Sequence, residues 1–254
     1  MGSRYQALGG AVLGALFASP AAAFEWTPFI EAQLADTLFH EIGHALVQEF
    51  ELPVLGQEED AVDAFATLEI LRLYEKDAAD VLVDVAAGWL VLDAWTDRED
   101  LNFYGEHDLD AQRGYRIICN LYGTDPIAYE AEADWAELPE EERERCEFDG
   151  PKAFDDWETM LEPHLLPEEA APIPARIVYG PGPSALRDAV IASGLYEWAN
   201  DNSVADFDWP EPITLAAETC GEPTAYWEPD ALKVVICYEM LEEWAEIEAA
   251  LDEL

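Results

Sequence analysis

Two histidines one helical turn apart, His40 and His44, lie inside a run of apolar residues, and that pairing restricts what the chain can fold into. Phe29, Ile30, Leu34, Leu38 and Phe39 before them, and Ala45, Leu46 and Phe50 after them, recur at helical spacing. Thr27 offers an N-cap and Pro28 a first helical residue whose missing N–H costs nothing. The helix is therefore buried or half-buried, and its two imidazoles need partners there. Side chains at i and i+4 leave one face and can hold one ion. Within His40-Glu41-Ile42-Gly43-His44, Glu41 is offset around the helix, away from the point where the rings converge yet able to address a water there. The spacing is that of a zinc site with its own general base. The alternative is a surface helix whose histidines merely fall a turn apart.

A third ligand has to come from another element. Leu52-Pro53-Val54-Leu55-Gly56 breaks the first helix, and an acidic run, Glu58-Glu59-Asp60, opens a second. Glu59 and Asp63 share one face at i and i+4. In gluzincin-type sites a glutamate on the second helix completes the coordination, and an aspartate one turn later accepts the free ring N–H of a ligating histidine. Glu59 is assigned as the third ligand and Asp63 as the acceptor, with Glu58 the runner-up for Glu59. The competing reading is a solvated helix N-terminus, where carboxylates suit the dipole anyway. It is the reading adopted for Asp60.

At these residues the chain resembles a family of bacterial metallopeptidases of unknown biological role. The family carries a His-Glu-x-Gly-His-Ala-Leu helix followed by Leu-Pro-x-x-Gly-x-Glu-Glu-Asp-Ala, read here as His40 to Leu46 and Leu52 to Ala61. Glu106-His107-Asp108-Leu109-Asp110-Ala111-Gln112-Arg113, leading to Cys119 and Tyr122 to Pro126, is similar to it as well. So is Cys220-Gly221-Glu222-Pro223-Thr224-Ala225-Tyr226-Trp227, running on to Cys237-Tyr238-Glu239. The resemblance implies a zinc-dependent peptidase fold. It also implies a changed order: the cysteine block precedes the histidine helix in the family and follows it here, as in a circular permutant whose ends lie close together. Thr224 stands where the family has asparagine.

The first 23 residues read as a secretory leader, with Arg4, an apolar run from Ala7 to Ala18 and a small-residue cleavage site at Ala21-Ala22-Ala23. Removing 23 of 254 residues leaves 231, with no later stretch resembling a membrane span. A periplasmic or secreted location follows, and export favours oxidised cysteines. A turn at Glu228-Pro229-Asp230-Ala231 lies midway between Cys220 and Cys237, so paired strands around it would bring those two together and leave Cys119 for Cys146. Four thiolates on one zinc is the competing arrangement, but the chain has no Cys-x-x-Cys pair.

The charge is extreme. Fifty-six acidic against twelve basic residues give −44, and losing Arg4 with the leader makes it −45. That balance excludes nucleic acid and anionic membranes as default partners, since phosphate binding rests on Lys and Arg. It fits a protein working in salt, where screening relieves self-repulsion. No Asp-x-Asp-x-Asp-Gly calcium loop is present.

The pattern predicts an α+β fold, mainly helical and zincin-like. A helical metal-binding region spans 24–166, with helices at Glu58 to Lys76, Ala78 to Trp95 and Asp110 to Tyr122. Prolines mark a linker from Leu166, and residues 167–254 supply a small sheet with helices packing on the same domain. Its elements are strands at Ile177 to Tyr179, Ile213 to Leu215, Thr224 to Trp227 and Val234 to Cys237, a helix from Ser184 to Trp198 and another from Tyr238. An edge strand among residues 224–237 is expected to hold an extended substrate.

The expected chemistry is peptide hydrolysis with one Zn2+ per chain, Glu41 as general base and His107 as first candidate for stabilising the oxyanion, ahead of Arg113. A peptide or protein is the expected partner. Loop anchoring by His107 and ion pairing by Arg113 are the plain alternatives. Two other functions stay open: a non-catalytic acidic binding or scaffold protein with a structural metal, and a zinc amidase acting on a non-protein, cell-wall amide.

Overall fold

Thr27 starts the central helix as its sequence requires: its Oγ1 accepts from Ile30 N at 3.1 Å, and Pro28 opens α1 (Pro28–Glu49). The computed structural model describes residues 23–167 and 169–251, so the expected leader lies almost wholly outside the described residues. Apolar residues surround α1 instead of forming a single stripe, and Ile30, Leu34, Leu38, Phe39, Ile42 and Leu46 are all fully buried. A helix apolar all round belongs in the middle of a core.

Helices cover one side of it: α2 (Glu58–Tyr74), α3 (Ala78–Trp95), α4 (Asp110–Thr124), α5 (Glu130–Trp135) and α6 (Glu140–Leu161). Trp157 of α6 packs on Phe65 of α2 with ring centroids 5.0 Å apart and donates its indole N–H to Ala61 O at 2.8 Å. The α4–α6 crossing is closed by the Cys119–Cys146 disulfide. A β-carbon at Gly123 would run into the Cys146 carbonyl there.

The other side of α1 meets the sheet and the last helix, α9 (Glu239–Leu251). The four strands are β1 (Arg176–Tyr179), β2 (Thr214–Glu218), β3 (Ala225–Glu228) and β4 (Lys233–Cys237), in the order β1-β2-β4-β3. The first three in that order are parallel, and β3 runs antiparallel at the edge with β4 as its sole neighbour. The fold is thus α+β and mainly helical, as the sequence pattern requires. Thr27 Oγ1 also donates to Glu248 Oε2 at 2.9 Å, bringing the start of α1 against the end of α9.

Three local expectations are corrected. The helix expected from Ser184 to Trp198 is two, α7 (Ser184–Ser193) and α8 (Leu195–Asn202), because Gly194 takes a left-handed conformation at φ +67° and ends the first. The strand expected at Ile213 runs instead from Thr214 to Glu218. The β3–β4 turn has the expected four residues but sits one position later, Pro229 to Leu232, with Leu232 left-handed at φ 47°. The register therefore shifts, and Cys237 N donates to Thr224 O rather than facing Cys220. A turn at Gly221, φ +91°, still carries Cys220 back to its disulfide with Cys237. Among the described residues no helix is long and apolar enough to cross a membrane.

Candidate metal centre

His40 and His44 leave α1 side by side, with Nε2 atoms 3.2 Å apart and rings edge to face. Glu59, in the first turn of α2, brings Oε2 to 3.1 Å from His40 Nε2 and 3.3 Å from His44 Nε2. The far nitrogens are tied down. His40 Nδ1 lies 2.7 Å from Asp63 Oδ1, and His44 Nδ1 lies 2.8 Å from Glu58 Oε1. A carboxylate can only accept, so each Nδ1 carries the hydrogen and each Nε2 of a neutral ring turns a lone pair inward.

With both rings neutral, three acceptor atoms then face one another in a nearly equilateral triangle with no donor among them. That is a repulsive arrangement unless a cation shares it. The edges of 3.1–3.3 Å match the roughly 3.3 Å between neighbouring ligands of a tetrahedral zinc at about 2.0 Å. Two further observations fit an ion. Among the described residues, Glu59 Oε2 is buried beside ring nitrogens yet makes no well-angled hydrogen bond, and the buried Glu41 Oε2 has no hydrogen-bond partner. His40, His44 and Glu59 thus form a donor set that suits a metal ion.

Electrostatics tell the same story. Burial disfavours a charge on His40, but the neighbouring Asp63 and Glu59 carboxylates outweigh it and push the ring up to about 10. His44 is raised as well, against burial, by Glu59 and Glu58. Burial would raise Glu59, but His107, His40 and His44 hold its carboxyl far below the usual range. In each case a positive charge is wanted between the same side chains. Glu41 moves the other way: burial raises it, only partly offset by the two histidines. A carboxylate held above its ordinary value exchanges protons closer to neutral pH.

Asp63 is itself gripped. Arg113 donates Nε to Oδ2 at 2.8 Å and Nη2 to Oδ1 at 2.7 Å, and its guanidinium lies 3.7 Å over the Trp89 ring. Despite its burial, that pairing keeps the Asp63 carboxyl well below its ordinary value. Arg113 therefore stands behind His40, spent on Asp63 and absent from the cavity lining, which removes it as an oxyanion donor. His107 is on the open side. Its ring stacks near the His40 ring at 6.3 Å, its Nε2 is 2.9 Å from Glu59 Oε2, and its side chain is 51% exposed. It does not join the three converging donors.

These groups line a cavity of about 620 Å3, walled by His40, Glu41 and His44, the loop carrying His107, and β3 through Ala225, Tyr226 and Trp227. A larger groove of about 1180 Å3 lies between α2, α4 and α6 but holds none of the histidines. Sequence reasoning missed two members of the site. Glu58, weighed only as a substitute ligand, orients His44; the signal was that the second histidine needs an acceptor as much as the first. Gln48, one turn beyond His44, accepts from Trp227 Nε1 at 3.0 Å.

A helical core around a His-His-Glu centre, with a small mixed sheet beside it, defines a metallopeptidase-like protein. The family model described as "Putative metallopeptidase" matches residues 20–161 and 181–253, most of the chain, and the protein belongs to that family. Neither a curated protein nor a solved structure matches it.

Proposed function

We propose that the protein is an exported zinc peptidase, hydrolysing peptide bonds with Glu41 as general base. The carrying observation is the triangle of His40 Nε2, His44 Nε2 and Glu59 Oε2, three inward-facing acceptors beside an unpartnered buried carboxylate. Zinc held by those three side chains supplies Lewis acidity toward a carbonyl and acidifies water toward neutral pH. Glu41 takes the proton of the attacking water and delivers it to the leaving amine nitrogen. His107, which lines the same cavity as Glu41, donates to the oxyanion. Asp63 and Glu58 fix the ring tautomers, and Arg113 fixes Asp63.

The substrate lies along β3. This strand has a free edge, and its residues Ala225 to Trp227 line the cavity, so an extended peptide can add to the sheet with a carbonyl over the histidines. Two disulfides support an oxidising, exported setting. The acidic surface supports activity in salt, and stability that falls as salt is added would overturn that part.

The test is metal content and casein hydrolysis by the purified protein, with and without chelator. One zinc per chain and chelator-sensitive cleavage are expected. Zinc without proteolysis, together with release of peptidoglycan fragments, would instead identify an amidase. A folded chain that binds no metal would overturn the proposal.

A further inference from the structure

Gln48 combines a fixed end and a free end beside the histidines. It follows His44 at i+4, so α1 presents it on the same face one turn further along, and it lines the same cavity next to Tyr226 and Trp227. An indole N–H can only donate, so the 3.0 Å contact from Trp227 Nε1 must meet the amide oxygen of Gln48. That bond settles the orientation of the carboxamide: oxygen toward β3, NH2 away from it. No acceptor among the described residues meets the NH2 group. Exposed on α1, it is an uncharged double donor in a cavity whose other polar walls carry four carboxylates, those of Glu41, Glu58, Glu59 and Glu106, three histidines and Gln57.

An extended peptide presents successive carbonyls in opposite directions. On the free edge of β3, one set pairs with the strand and the other set faces away. The geometry points to Gln48 as a substrate-binding residue, donating its carboxamide N–H to a main-chain carbonyl oxygen of the second set, next to the cleaved bond. The inference rests on the peptidase reading. Binding through the main chain makes Gln48 indifferent to substrate side chains, so it sets how deeply a chain seats and not which residue is cut.

The rival role is purely structural, with Gln48 serving only to tie β3 to α1. Opposite substitutions separate the two. Gln48→Glu keeps an oxygen for Trp227 and loses the donors; Gln48→Lys keeps a donor and loses the tie; Trp227→Phe loses the tie alone. With zinc-loaded protein and β-casein as the probe, Gln48→Glu should raise KM about tenfold, the worth of one hydrogen bond. Its zinc content, melting temperature and kcat should stay near wild type, and Gln48→Lys should keep KM near wild type. Uncharged Gln48→Met should show the same rise as Gln48→Glu, which excludes simple charge repulsion. A normal KM in Gln48→Glu, or impairment confined to Gln48→Lys and Trp227→Phe, would overturn the inference. Wild-type protein that cleaves no casein would overturn the peptidase reading and this inference with it, an outcome distinct from an active wild type matched by Gln48→Glu.

Discussion

Gly43 of α1 and Val62 of α2 approach so closely that a β-carbon on Gly43 would stand 3.0 Å from Val62 Cβ and 3.0 Å from Cγ1, and a neighbour would have to give by a few tenths of an ångström. Val62 lies between Glu59 and Asp63, so this contact sets how near both carboxylates come to the histidines. Gly43→Ala improves helix propensity by about 1 kcal/mol while wedging the helices apart. Metal affinity should fall tenfold or more, with the metal-free melting temperature little changed. Competition against a chromophoric chelator measures this, and wild-type affinity would contradict it.

Glu41 contributes no atom to the triangle of donors. Glu41→Gln should therefore bind metal as tightly as wild type while casein turnover drops about 10²–10⁴-fold, the usual contribution of a general base. Loss of metal along with activity would assign Glu41 to coordination instead.

Asp63 and Glu58 orient the two rings from unequal positions. Neutralising either carboxylate, as Asp63→Asn or Glu58→Gln, leaves only an uncharged amide oxygen to accept from the ring and should weaken metal binding by about 10–100-fold. Only Asp63→Asn should also destabilise the metal-free protein, by about 3–5 kcal/mol, because it leaves the buried Arg113 guanidinium uncompensated. Glu58 is 38% exposed and carries no such burden. Equal melting temperatures for the two variants would refute the distinction.

Asp36, one turn before His40, is a buried carboxyl. Burial first, then the charge of Asp63, raise it to about 7, with His40 and Arg113 pulling back. The folded state then holds a proton that the unfolded chain releases near its ordinary value of 3.8, so this residue's contribution is fully present below about pH 4 and is lost as pH rises to about 7. Metal-free Asp36→Asn should lack that decline and be more stable at pH 8 by up to about 4 kcal/mol. The difference in unfolding free energy between wild type and variant across pH 4–8 measures the effect; a pH-independent difference would exclude it.

The metal helix could be read from sequence because helical period, cap and ligand spacing all lie within one segment, from Thr27 to Phe50. The structure also brings Glu59 and Asp63 to the histidines, since i and i+4 spacing on the next helix leaves few other registers. What could not be read depends on pairs distant in the chain. Nothing near Arg113 signals that Asp63, fifty residues earlier, takes its whole fork. The one-residue shift of the β3–β4 turn was hidden because its left-handed residue is Leu232, not glycine or asparagine. Gln48 carries no signal within its own segment, because its partner Trp227 lies 179 residues away.

The same division separates two stages of assembly. His40 and Asp63 are 23 residues apart and His44 and Glu58 only 14, whereas β3 reaches α1 across most of the sequence. Short loops close at lower entropic cost than long ones. On refolding, ion capture should therefore precede recovery of the cleft, and a newly made chain would carry its cation before it could grip, and cut, a neighbour.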